Sequence, residues 1–326
     1  MSALHQATAP APNATAQDAP SEADRLGAAA LAAPDADALQ DVITLAGNVL
    51  APPEMGALYR RLEAEGDADL VAQCRRFAPA WRALLLRPKP WRRERLHEFI
   101  RLYRSDGYRP RAGRTLLVCI AGMRGGMLMP NTGFLQNMPD DVADVLIIMR
   151  QGQSDYRCGF PGIGDSLLSI AAFIREKVIA RGYDHVAVLG VSQGANAAPA
   201  MADFLDASLG VAFSGRYLRV GGVVPLAQAG TAWESLCHCR GRGGPGHDRP
   251  RRARLYSIYG AENRLDARWA QIFAQVEPRM ELLPVADYAD HSVFFYLKSK
   301  RAMAPFLREL CLAATEDRPL RWPVTA

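Results

Sequence analysis

The chain has 326 residues, 49% hydrophobic and 22% charged, with 39 Lys and Arg against 34 Asp and Glu for a net charge of +5. This composition excludes a disordered or collagen-like chain and supplies a sizeable core, in one large domain rather than two. No apolar run approaches the roughly 20 residues that span a bilayer, and six cysteines in a chain this long do not form a disulfide framework, so a reducing, cytoplasmic setting is expected.

Residues 1–37 are rich in Ala, Pro, Asp and Ser and almost free of aromatic and β-branched residues, so they read as a disordered tail. Within them LGAAALAA (26–33) resembles the apolar part of a signal peptide, but acidic residues precede it and a basic start is missing. From 38 to 110 apolar residues recur at helical spacing; Leu58, Leu62, Leu70, Cys74 and Phe77 share faces of successive helices, which predicts a helical N-terminal section. Its basic end, RPKPWRRERLHEFIRLYR (87–104), fits a solvated helix face better than a nucleic-acid surface, since no nucleic-acid motif accompanies it.

After Arg114 the rhythm changes to short apolar runs: TLLVCIAG, DVLIIMR, HVAVLGVS, LRVGGVVPLA, RLYSIYG and MELLPVA. Continuous runs of this length suit strands buried on both faces. Intervening segments such as GDSLLSIAAFIREKVIARG and AAPAMADFLDASL suit crossover helices. The expected fold class is α/β, a mostly parallel sheet with helices on both faces spanning 111–315, with a C-terminal tail over 316–326. GRGGPGHDRPRRAR (241–254) reads as a basic loop inside an insertion over 237–254. Cys237, His238, Cys239 and His247 lie close together there, but Cys-x-Cys before a glycine-rich stretch is not the usual zinc spacing, so no metal is assigned.

The third run ends in GVSQG, Gly190 to Gly194. A serine hydroxyl is a poor nucleophile at neutral pH and needs exposure on a sharp turn, a base, and backbone donors for an oxyanion. Glycines flanking Ser192 let strand and helix approach without Cβ clashes. The base belongs after a later strand, and of the six histidines His291 alone has that context, following MELLPVA and preceding a helical segment. The acid belongs in the loop after the preceding strand, RLYSIYGAENRLDARWA, where Asp266 is the first choice and Glu262 the second. Asp287 and Asp290 share the histidine's own loop and read as solvated turn residues.

The order Ser192, Asp266, His291, together with LLVCIAGMRGG, resembles the α/β-hydrolase family over roughly residues 114–312. The resemblance implies an oxyanion hole from the backbone N–H groups of Met123 and Gln193. The chain departs from the family in having AGMRGG in place of the usual HGG loop, and Asn263 three residues after Gly260, where many related sequences carry the acid. The expected activity is hydrolysis of an acyl ester or thioester through an acyl-enzyme on Ser192. An acyltransferase using the same triad, or a hydrolase-like scaffold that binds without turnover, are the alternatives. A small-molecule or carrier-bound acyl substrate is implied, with no cofactor, no metal and no nucleic acid, and the oligomeric state is left open. Arg124 and Asp155 are candidate substrate contacts; Met127 and Met129 with Met123 suggest an adaptable apolar wall.

Overall fold

The computed structural model describes residues 20–77, 81–108, 113–149, 156–215, 218–219, 222–223 and 253–322. Among the described residues five helices come first: α1 (Glu22–Leu31), α2 (Ala36–Val49), α3 (Pro52–Glu65), α4 (Ala68–Phe77) and α5 (Trp81–Leu86). Their starts follow local chemistry. The Ser21 hydroxyl accepts the Asp24 N–H while Asp24 accepts the Ser21 N–H, Asp35 accepts the Ala38 N–H, and Glu54 accepts the Ala51 N–H ahead of Pro52. Leu39, Ile43, Leu58, Leu62 and Cys74 bury together in a core of their own, with Leu70 and Phe77 packed against it.

Among the described residues the main sheet has eight strands: β1 (Trp91–His97), β2 (Ile100–Ser105), β3 (Thr115–Ile120), β4 (Asp144–Ile148), β5 (His185–Val191), β6 (Leu209–Phe213), β9 (Arg254–Gly260) and β10 (Met280–Val285). Their spatial order is β1-β2-β4-β3-β5-β6-β9-β10. The six from β4 to β10 pair in parallel, β2 runs antiparallel to β4, and β1 antiparallel to β2. A separate ribbon pairs β7 (Leu218–Arg219) with β8 (Gly222–Val223).

The pleat divides the central strands between two cores. Leu117, Cys119, Val145, Ile147 and Leu189 join α6 (Asn131–Asn137), α10 (Val293–Ser299) and α11 (Met303–Thr315) on one face. Leu116, Val118, Ile120, Leu146 and Val188 join α7 (Leu167–Lys177), α8 (Ala198–Phe204) and α9 (Arg264–Val276) on the other. Coverage of both faces is why these strands read as unbroken apolar runs. The architecture is the expected one: a mostly parallel sheet between helical layers, preceded by helices.

Several elements differ from the sequence reading. Residues 91–105, expected to be a basic helix, form the β1–β2 hairpin, with Trp91 opposite Ser105 and Arg93 opposite Tyr103. Its arginines are held from the helical layer: Arg93 pairs with Glu22 and, at 2.9 Å, with Glu54, and buried Arg101 lies 3.4 Å from Glu22. These pairs also explain why α1 occupies part of the expected tail, because Glu22 ties that helix to the sheet edge. The strand after β5 in the main sheet is LGVAF, which the apolar runs did not include; of the expected LRVGGVVPLA only 218–219 and 222–223, the β7–β8 ribbon, lie among the described residues. Strand β6 sits directly under α8, where a Cβ on Gly210 would stand 2.8 Å from the Ala202 Cβ. The expected C-terminal tail packs as far as Trp322, whose ring meets Phe306 at 5.5 Å, while the Leu320 N–H donates to the Tyr256 hydroxyl. Among the described residues, no helix is long and apolar enough to cross a membrane.

Candidate active site

The site lies at the C-terminal ends of β3, β5 and β9 and in the loop after β10. Strand β5 ends at Val191, and Ser192 turns the chain with φ of +51° into a 3-10 turn (Ser192–Asn196) that leads to α8. A side chain in that region costs about 1–2 kcal/mol. The two glycines of GVSQG have steric reasons: a Cβ on Gly190 would lie 2.3 Å from the Gly194 carbonyl oxygen, and one on Gly194 would lie 2.2 Å from that of Ile120. Neither contact is possible, so only glycine lets the turn close on β3.

His291 comes from the loop between β10 and α10. Its Nε2 lies 2.9 Å from Ser192 Oγ, and its Nδ1 lies 2.9 and 3.1 Å from the two carboxylate oxygens of Asp266. A carboxylate only accepts, so the proton belongs on Nδ1, which leaves Nε2 to accept the serine hydroxyl. Asp266 is fully buried, while the His291 side chain is 24% exposed. The imidazole therefore sits between a carboxylate shut off from water and a serine at the rim.

Asp266 is the third residue of α9, and Asn263 caps that helix, accepting the Asp266 N–H at 3.2 Å. Glu262, the alternative acid, is exposed and is not brought to His291; its backbone N–H donates to the Tyr288 carbonyl. The histidine loop lies close over the end of β9, since a Cβ on Gly260 would stand 2.4 Å from the Tyr288 carbonyl oxygen. Tyr288 donates its hydroxyl to the Ser292 carbonyl at 2.7 Å, and burial followed by the charge of Asp290 pushes its phenol up, so it stays a donor. Asp290 is exposed and accepts the His291 N–H; Asp287 is exposed at φ of +53°. Both are turn residues.

The AGMRGG loop rests on the serine turn: a Cβ on Gly122 would lie 3.4 Å from Ser192 Cβ. The loop closes on itself through Gly122 N–H to Gly126 and Gly125 N–H to Gly122. Met123 is 47% exposed and Arg124 is exposed beside it, whereas Met127 is buried in the core. Asp155 lies outside the described residues, as do Cys237, His238, Cys239 and His247. Among the described residues no group of three or more His, Cys, Asp and Glu side chains stands together as metal ligands.

The strand order, the turn at Ser192, and the placing of Ser192, Asp266 and His291 after β5, β9 and β10 agree with one another. The fold is of the α/β-hydrolase type. No protein-family model and no curated protein matches the sequence. Among solved structures, the chain is similar to a 2,6-dihydroxy-pseudo-oxynicotine hydrolase at 13% identity, covering 94% of this chain and 93% of that one with a TM-score of 0.45. It is also similar to an esterase of Pyrobaculum calidifontis (15% identity, 66% and 81% covered, TM-score 0.41) and to an esterase of the bacterial hormone-sensitive lipase family (15%, 83% and 98%, 0.42). Identity at this level leaves the chemistry of the site to its own geometry.

Three residues around the site were not singled out from the sequence. Tyr156 donates its hydroxyl to the Ala121 carbonyl at 2.7 Å, fixing the end of β3 where the loop departs. Asn48 and Asn131 bind the loop from outside. Only Asn131 offers a clue, since Pro-Asn-Thr marks a helix start.

Proposed function

We propose that the protein is a serine hydrolase acting on a carboxylic ester or thioester through an acyl-enzyme on Ser192. The observation that supports this is the imidazole of His291, which reaches the Ser192 hydroxyl at 2.9 Å on one side and the buried Asp266 carboxylate at 2.9 Å on the other. In this reading Ser192 Oγ attacks the substrate carbonyl while its proton passes to His291 Nε2, and Asp266 stabilises the imidazolium. The negative charge on the carbonyl oxygen is met by the backbone N–H groups of Met123 and Gln193. His291 returns the proton to the leaving alcohol or thiol as the tetrahedral species collapses. Water, deprotonated by the same imidazole, then releases the acid and restores the serine. Arg124, exposed on the oxyanion loop, is the contact proposed for an anionic group of the substrate.

Asn263 gives no support to a scaffold that binds without turnover, because its side chain caps the helix on which Asp266 stands. The deciding experiment is fluorophosphonate labelling of wild type and Ser192→Ala, followed by p-nitrophenyl esters of graded chain length and a panel of acyl thioesters. The expected result is labelling that depends on Ser192 and hydrolysis of one class of acyl chain. A wild-type protein that does not label, or a Ser192→Ala variant that labels equally, overturns the reading. Adding primary alcohols to the assay separates hydrolysis from acyl transfer by the ester formed.

A further inference from the structure

The N-terminal helical layer has its own core, yet at one point it enters the site. Asn48, the penultimate residue of α2, is 6% exposed, and its Nδ2 donates to the Arg124 carbonyl at 3.1 Å. Asn131, the first residue of α6, is fully buried. Its Nδ2 donates to the Asn48 carbonyl at 2.9 Å and to the Gly125 carbonyl at 3.0 Å, while its Oδ1 accepts the Met127 N–H at 3.2 Å. The two side chains thus hold three successive points of the loop, at 124, 125 and 127, that begins at Gly122 against Ser192.

The contact is close on every side. A Cβ on Gly126 would lie 3.0 Å from Asn48 Oδ1 and 2.7 Å from the Met129 carbonyl oxygen, and one on Gly47 would lie 3.1 Å from Pro130 Cβ. Among the described residues, the backbone bonds within the loop are Gly122 N–H to the Gly126 carbonyl and Gly125 N–H to the Gly122 carbonyl. An oxyanion donor contributes to rate only when it is already aimed before charge develops. A glycine-rich loop left to itself loses that aim through conformational freedom.

We infer that Asn48 and Asn131 are positioning residues which lock the 122–127 loop against Ser192, so that the end of α2 is a structural part of the oxyanion hole. This rests on the serine hydrolase reading for its kinetic consequence, though not for the mechanical one. Neither asparagine touches the reacting atoms; each acts through the backbone of the loop.

The test uses the full chain with Asn48→Ala and Asn131→Asp, the second keeping an acceptor for the Met127 N–H while losing both donors. With the p-nitrophenyl ester that wild type cleaves best, each variant is expected to lower kcat about tenfold while KM changes less than about twofold. Amide hydrogen exchange across 122–127 is expected to speed up in both, with exchange on α7 unchanged. If Asn131→Asp does not fold, Asn48→Ala decides alone. The inference is overturned if Asn48→Ala keeps wild-type kcat and wild-type loop exchange, or if its only effect is a lower unfolding midpoint with kcat per folded molecule unchanged. Should wild type show no Ser192-dependent turnover, the hydrolase reading fails and loop exchange alone upholds or overturns the lock.

Discussion

Asn263 accepts the backbone N–H of Asp266 at 3.2 Å, and in doing so it holds the first turn of α9 so that the Asp266 carboxylate faces His291 Nδ1. Asn263, where the α/β-hydrolase resemblance implies an acid, is the cap, and the carboxylate beside the imidazole is that of Asp266, three residues on. Asp266→Asn is expected to lower kcat by about 10³- to 10⁴-fold, whereas Glu262→Gln, altering an exposed side chain, changes it by less than about twofold. Steady-state hydrolysis of the best ester substrate measures both. A rate lost with Glu262→Gln and kept with Asp266→Asn would reverse the assignment. Asn263→Ala removes the cap and is expected to cost about 1 kcal/mol of stability in urea unfolding.

The positive φ of Ser192 makes a prediction about stability opposite to the ordinary rule. At most positions glycine is less stable than alanine, because it loses more backbone freedom on folding. At φ of +51° the Cβ is strained, and glycine relieves it. Both Ser192→Gly and Ser192→Ala lose the hydroxyl, so their difference isolates the backbone. Ser192→Gly is expected to be more stable than Ser192→Ala by about 1 kcal/mol, with both inactive. Chemical unfolding of the pair measures this, and equal stability would show that the turn is unstrained.

How much of this was legible depended on whether a residue's partner was local. Strands β3, β4, β5 and β9 lie in apolar runs covered on both faces, and β10, the edge strand with Glu281 and Pro284 exposed, still lies in the run MELLPVA; the apolar runs alone place all five. Strand β6 escaped because LGVAF follows α8 after a short turn, and small residues demanded by that close packing dilute its apolar signal. The β1–β2 hairpin escaped for an electrostatic reason. Its arginines have good helix propensity, and the acids that pair with Arg93 are Glu22 and Glu54, distant in sequence. Ser192 and His291 were readable from their place after strands. The choice between Asp266 and Glu262 was not, since both stand near the start of one helix and only the fold shows which one faces the imidazole. Asn48 was invisible because the carbonyl it binds belongs to Arg124.

Asp144 separates stability from activity. It opens β4 at the N-terminal edge of the sheet and is 1% exposed. One oxygen receives the Tyr183 hydroxyl at 2.7 Å and the Arg114 guanidinium at 2.5 Å, and the other accepts the Ser105 N–H at 3.1 Å. Burial, then the hydrogen bond and charge of Asp144, pushes the Tyr183 phenol well up, so it remains a donor. Ser192 lies past the opposite end of β5, roughly 20 Å away at about 3.3 Å per residue. Asp144→Asn is expected to cost about 3 kcal/mol in unfolding with kcat and KM unchanged. A selective fall in kcat without loss of stability would contradict this.

Glu22 predicts how the helical layer responds to acid. Burial alone would raise its carboxyl, but the hydrogen bond from Arg93 and the charges of Arg101, Arg93 and Arg95 outweigh that and hold it below the usual carboxylate range. A carboxylate whose folded-state pKa is depressed contributes stability that is complete above its unfolded-state pKa, about 4.3 for glutamate, and is lost as pH falls through the folded value. Wild type is therefore expected to exceed Glu22→Gln by about 2 kcal/mol at neutral pH, the difference shrinking only as pH drops below the ordinary carboxylate range. The probe must report on α1, because Glu22 joins that helix to β1 and β2 through Arg93 and Arg101. Hydrogen exchange of the α1 amides at neutral and acid pH follows it directly. Exchange that is equally protected in Glu22→Gln and wild type at neutral pH would mean that apolar packing, not this ion pair, seats the helix on the sheet.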